Sequence, residues 1–172
     1  MKRRQTSAEH WTKMLRHTME EPAWRALSST AQALYPWLKL EWHGADKNNN
    51  GKIRLSVRQA AERLGVRSVN TAAAAFQDLQ AKGFIVQTEH ACLGVEGAAK
   101  APAYELTELK LPLSQGDGRK LYRDWRPGRD FPVQKAVANN PIGWNGKTKT
   151  RLKNRDDAVL KFKTKSERLS QK

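Results

Sequence analysis

Between Arg67 and Gln77 the chain places Arg67, Ser68, Asn70, Thr71, Ala73, Ala74 and Gln77 at spacings that share one side of a helix. An arginine fork pairs with the O6 and N7 edge of guanine, and Asn or Gln pairs with the N6 and N7 edge of adenine. A small Ala allows close approach and offers a methyl to thymine. The competing reading of the same residues is a solvated helix face, or one that contacts protein. Around this stretch lie Lys52, Arg54, Arg58, Arg63 and Lys82, cations of the kind that hold phosphates and carry affinity without sequence information. Each of them taken singly could equally be plain solvated charge. Lys100 is the one cation in a loop that otherwise offers Ala, Gly, Glu89 and Glu96, so insertion of this loop into a minor groove is not expected.

The residues that could do covalent chemistry are sparse. No Gly-rich phosphate loop with its lysine, no Ser, His and Asp ordering and no dense carboxylate cluster is present, which points away from a hydrolase or nuclease. The expectation is a non-enzymatic protein without a cofactor. Asp117, Asp124 and Asp130 alternate with Arg119, Lys120, Arg123, Arg126 and Arg129, a pattern of ion pairing. Asp46 to Ile53 matches the first half of a calcium loop, with oxygen donors at its positions 1, 3 and 5 and glycine at 6. Position 12, which must supply a bidentate carboxylate, is Val57, so a polar turn is expected. His90 and Cys92 are close in sequence, but the only other histidines are His10, His17 and His43, and no metal is expected.

The elements that must position the reading face follow from periodicity and punctuation. Trp11, Met14, Leu15 and Met19 recur at helical spacing, predicting a short amphipathic helix ended by Glu20, Glu21 and Pro22. Ser28 or Ser29 caps a helix with Ala31, Leu34, Tyr35, Leu38 and Trp42 on its apolar side, kinked or started early by Pro36. Residues 44–51 form a turn, and 52–55 a short strand. Ser56 caps a helix over 57–64 that Gly65 closes. A further helix over 70–82 buries Ala72, Ala75, Phe76 and Leu79 and ends at Gly83. Strands at 84–88 and 103–107 flank a loop from His90 to Ala101. The class expected is α+β, mostly α: a winged helix-turn-helix, in which one helix crosses the backbone while the next enters the major groove.

The residues Ala23, Trp24, Arg25, Ala26, Leu27 and Ser28, then Asn50 and Gly51, Leu64 and Gly65, Ala75, Leu79, Gly83, Phe84 and Ile85, and Tyr104 to Thr107 make about half of the chain resemble winged-helix proteins of bacterial mobile elements. These include replication-initiator-like proteins of plasmids and phages. The resemblance implies DNA binding in the cytoplasm, in replication or its control. The chain departs from the usual pattern in its alanine-rich third helix, Ala72 to Ala75.

Charge and composition fit a polyanionic partner. Of 172 residues 32 are Lys or Arg and 17 Asp or Glu, a formal charge of +15, which repels itself in a compact chain unless an anion neutralises it. DNA is the expected partner, with RNA as the alternative. Residues 1–108 hold 15 basic and 11 acidic side chains, residues 109–172 hold 17 and 6. The domain plan is therefore an arm over 1–21, the winged domain over 22–110, an aromatic and basic extension over 111–144 and a basic tail over 145–172, expected to be disordered in isolation. In that tail Lys147, Lys149, Arg151 and Lys153 are the expected backbone contacts. They could clamp duplex DNA or help stack single strands, and Val159 to Phe162 could instead anchor a protein partner. No apolar run reaches the roughly 18 to 20 residues that span a bilayer, and no apolar signal core follows Met1 to Arg4. A single cysteine excludes an internal disulfide. A cytoplasmic, nucleoid-associated protein without membrane contact is expected. Two other roles suit the same residues: a transcriptional regulator that dimerises through the arm, or an interaction factor that inhibits a host nucleic-acid machine.

Overall fold

A computed structural model of the chain describes residues 10–91 and 100–135. These form an α+β fold with five helices and a three-stranded antiparallel sheet. Helices α1 (Arg16–Glu20) and α2 (Pro22–Arg25) lead into α3 (Ser29–Leu40). Strand β1 (Ile53–Arg54), helices α4 (Val57–Arg63) and α5 (Val69–Ala81), and strands β2 (Ile85–Glu89) and β3 (Ala103–Leu106) follow.

The local chemistry explains the boundaries. Glu21 is extended and Pro22 opens α2, where its missing N–H costs nothing. Ser28 caps α3, its Oγ accepting from the Ala31 amide at 3.3 Å. The helix continues through Pro36 to Leu40. Ser56 and Gln59 form a reciprocal capping box on α4. Both α4 and α5 end in the same way. Gly65 at φ +65° lets Gly65 N–H reach the Glu62 carbonyl and Val66 N–H reach that of Ala61. Gly83 at φ +77° lets its own N–H reach Gln80 and that of Phe84 reach Leu79. Such double closures satisfy the last carbonyls and turn the chain sharply.

The arm differs from the sequence expectation. Only Arg16–Glu20 is helical, residues 10–15 are not, and Trp11 and Met19 are exposed at 77% and 45%. A five-residue helix is too short to hold itself by propensity, and what the body accepts from it is Thr18, wholly buried.

The sheet order is β1-β3-β2, with Ile53 opposite Tyr104 and Ile85 opposite Leu106. A bulge between Gln87 and Glu89 shifts the register near the end of β2. Behind the sheet, Phe76 of α5 stacks on Tyr104 at 5.1 Å. Trp24, Tyr35 and Phe84 meet edge to face at 5.4–5.6 Å, and Tyr122 stacks on Phe84 at 4.8 Å. Tyr122 and Trp125, from the stretch read in the sequence as an extension, are thus buried in the same core, and Phe131 packs against it.

The turn over 44–51 engages the side-chain oxygens of its three asparagines. Asn48 Oδ1 accepts from the Trp42 indole, Asn49 Oδ1 from the His43 amide, and the buried Asn50 Oδ1 from the Leu106 amide at 2.7 Å. Asn50 Nδ2 donates in turn to the carbonyls of Leu106 and Leu109, tying the turn to β3. Among the described residues no helix is long and apolar enough to cross a membrane, and no group of three or more His, Cys, Asp or Glu side chains could hold a metal.

Candidate nucleic-acid interface

Helix α5 has two unlike sides because its apolar residues recur at 72, 75, 76 and 79, all buried against α3, α4 and the sheet. The opposite side starts at the short link after Gly65. Arg67, Ser68, Val69, Asn70, Thr71 and Ala74 are exposed, and Ala73 and Gln77 half-buried. Ser68 precedes the first turn, yet its hydroxyl makes no capping bond. The sequence reading placed six of its site residues here, and the fold brings those six onto one continuous face. Val69, at 48% exposure, was missed. It stands three residues before Ala72 and seven before Phe76, the period of the buried stripe, so spacing alone gives no sign of its exposure.

The surrounding cations separate by what already holds them. Arg54 is half-buried and its guanidinium is bound by the Glu89 carboxylate and the Ala101 carbonyl, so a phosphate there competes with an existing carboxylate. Arg63 pairs with Glu41 and lies 5.5 Å over the Trp37 ring. Lys82 is 2.9 Å from Asp130 and 4.0 Å from Asp78. Lys52, Arg58, Arg67 and Lys100 are exposed and, among the described residues, have no carboxylate partner. Lys147, Lys149, Arg151 and Lys153 lie outside the described residues, as does Cys92.

A second set of charged residues, absent from the sequence reading of the site, is interior. Lys39 Nζ sits 2.8 Å from Glu108 Oε2, with both side chains at least 95% buried. Tyr35 donates to the same oxygen at 2.8 Å, Thr18 to the other at 3.3 Å, and the Lys39 ammonium also donates to the Lys13 carbonyl. Burial, then the adjacent Glu108 charge, pushes the Tyr35 phenol well above its ordinary pKa, keeping it a neutral donor. The Tyr122 hydroxyl is buried nearby without a hydrogen-bond partner, and its pKa is raised, chiefly by that burial. Full pairing of buried charges is what makes them tolerable. This cluster ties the arm to α3 and the end of β3. The only sequence signal for it is that Lys39 follows Tyr35 by four residues on a buried stripe.

Residues 117–134 hold the far end of α5. Arg119 clasps the buried Glu105 with both arms of its fork, Nε to Oε1 at 2.8 Å. The Phe131 amide donates to the Ala81 carbonyl, the Gln134 amide to Gln80 Oε1, and the Trp125 indole to Asp130 at 2.7 Å. Asp117 pairs with Lys120 at 2.7 Å. Of the expected alternation of Asp with Arg and Lys, only Asp117 and Lys120 pair with each other; Arg119 goes to the buried Glu105, Arg123 to Glu21 and Asp130 to Lys82, and Asp124, Arg126 and Arg129 have no ion-pair partner among the described residues. A cavity of about 450 Å³ lies between the arm and the end of α3, lined by Trp11, Lys39 and Trp42 among others.

No protein-family model, curated protein or solved structure matches the chain.

Proposed function

We propose that the chain is a non-enzymatic DNA-binding protein of winged helix-turn-helix type, with α5 in the major groove and the 145–172 tail adding electrostatic grip. The element order from α3 to β3 and the sheet order β1-β3-β2 fit that fold, with α4 crossing the backbone and the paired strands β2 and β3 as the wing. One observation carries the reading: the exposed side of α5's first turns combines Arg67, Ser68, Asn70, Thr71 and Ala74, each able to meet a base edge, while no carboxylate of the described residues pairs with Arg67. Lys52, Arg58 and Lys100, exposed and without a carboxylate partner among the described residues, supply phosphate contacts. With the sequence resemblance, this favours a role in replication of a bacterial mobile element, or in its control.

Titration of binding against salt tests the reading. Six to ten phosphate contacts give a fall of about 10³ to 10⁵ in affinity between about 50 and 200 mM salt, and a flat response overturns it. Deleting residues 145–172 weakens binding to all duplexes alike, whereas Arg67→Ala weakens a selected site more than random DNA. The exposed Trp11 and Met19 of the arm favour a second version, a transcriptional regulator whose two copies pair through the arm. Sedimentation of the full chain with and without Trp11→Ser separates the two.

A further inference from the structure

We propose that the cavity between the arm and the end of α3 takes a nucleobase carrying a phosphate, with Trp11 and Trp42 stacking on the base and Lys13 facing the phosphate. The site uses none of the residues of the α5 face, so the inference stands or falls separately from the duplex reading above.

The cavity holds about 450 Å³, within the range of roughly 300 to 1,000 Å³ common for small-molecule sites. Both of its walls are fixed by bonds of the fold. Beyond α3 the Trp42 indole donates to Asn48 Oδ1 at 3.0 Å, and the His43 amide donates to Asn49 Oδ1 at 2.9 Å. On the arm, the buried Lys39 ammonium holds the Lys13 carbonyl, Met14 packs against the core and Thr18 is wholly buried. Trp11 lies two residues before this anchor. It is 77% exposed and has no hydrogen-bond or aromatic partner among the described residues. The fold therefore pins the arm beside the cavity while leaving the indole of Trp11 unused by the core.

The lining is aromatic and basic. Besides the two indoles it offers His10, Lys13 and His43, all exposed, and no acidic residue among the described ones. Lys39 is already neutralised by Glu108, whereas Lys13 has no carboxylate partner among the described residues. Every base presents a π face on which an indole can stack, and an unpaired ammonium beside it suits a phosphate oxygen. An aliphatic ligand would leave the cations unused, and inorganic phosphate would leave the indoles unused. The arm of a second copy would bring its own Lys13 against this one, a repulsion between like charges. The shared chemistry is therefore a base with its phosphate, supplied by a free nucleotide or by an unstacked residue of a single strand.

The test titrates the full chain with AMP, adenosine, inorganic phosphate and single-stranded oligo-dA. Trp11→Ala should leave the urea midpoint unchanged and weaken the occupying probe about tenfold, the worth of one stacked base. Lys13→Gln keeps the backbone carbonyl that Lys39 holds, and should weaken AMP about tenfold while leaving adenosine unchanged, as for one bond to a charged group. Saturable AMP binding that both variants weaken assigns the site to a free nucleotide. A loss with Trp11→Ala that appears only with oligo-dA assigns it to a strand. Equal affinity for AMP and adenosine, or for AMP and inorganic phosphate, overturns the proposal. So does binding of AMP and oligo-dA that is absent or indifferent to Trp11→Ala. If no probe binds and Trp11→Ala splits a dimer in sedimentation, the cavity belongs to paired arms and the proposal is again overturned. Loss of selected-duplex binding bears on the α5 reading alone.

Discussion

The two ends of α5 are made from the same helix and treated in opposite ways. At its start, Arg67, Ser68, Val69, Asn70 and Thr71 stand exposed, with Arg67 unpaired among the described residues and the Ser68 hydroxyl unused as a cap. At its end, Gln80, Ala81 and Lys82 are held by Gln134, Phe131 and Asp130, and Gly83 lies so close to Phe131 that an added Cβ would sit 2.7 Å from its ring. In a chain of charge +15, basic residues are everywhere, and their number says little about where an anion binds. What separates the regions is whether the fold has already supplied a carboxylate. Asp130 and the backbone amides of Phe131 and Gln134 hold the end of α5, while Arg119 and Arg123 are taken up by Glu105 and Glu21; Arg67, in the link before α5, has no carboxylate partner among the described residues.

That contrast can be broken most severely at the buried pair beneath it. Glu108→Ala leaves the Lys39 ammonium buried without its carboxylate and should cost about 3 to 5 kcal/mol, read as a fall in urea midpoint. A variant with both Lys39 and Glu108 replaced by apolar residues should recover much of that loss. Next in size is Gly83→Ala, which forces a side chain into the left-handed region at φ +77° and against Phe131 and the Leu121 backbone. A loss of about 2 to 4 kcal/mol in unfolding free energy is expected from strain and overpacking together. A neutral result would mean that residues 121–131 do not seat on α5.

At the other end the effects move from stability to binding. Asn70→Ala should weaken the selected duplex by about 1 to 3 kcal/mol while changing stability by no more than about 0.5 kcal/mol. Equal losses on selected and random DNA would remove α5 as the reading element. Arg58→Ala should lower the slope of log affinity against log salt by about 1, as expected for a single phosphate contact, whereas Arg119→Ala should leave that slope unchanged because Glu105 already holds the side chain. The smallest effect concerns pH. The Trp125 indole, and then Lys82, hold the Asp130 carboxyl below the ordinary aspartate range. Its contribution is fully present above the ordinary aspartate pKa and is lost as pH falls through the lowered folded value. Asp130→Asn should slightly flatten the acid limb of a stability profile measured by urea unfolding, and with Asp130 half-exposed the change should be small.

Much of the fold was legible because its signals are local. Ser28 and Ser56 cap the helices they were expected to cap, Gly65 and Gly83 close theirs in the left-handed region, and the 72, 75, 76, 79 stripe is the buried side of α5. Arg54 was not legible as an engaged cation, since Glu89 is 35 residues away and meets it only across the sheet. Nothing in the strand over 103–107 marks Glu105 as covered, yet all four residues of β3 are buried and Arg119, 14 residues on, clasps Glu105. The arm read as a longer helix because spacing alone cannot count hydrogen bonds.

What the sequence determined by itself were the helix ends, the turn over 44–51 and the composition of the exposed side of α5, because capping, glycine conformation and a 3.6-residue period act within a few neighbours. Only the tertiary structure decided which charges remain free. That outcome depends on pairs such as Lys39 with Glu108, 69 residues apart, and Lys82 with Asp130, 48 apart. No local pattern encodes such pairs, and they form only when the core has brought the two chain segments together.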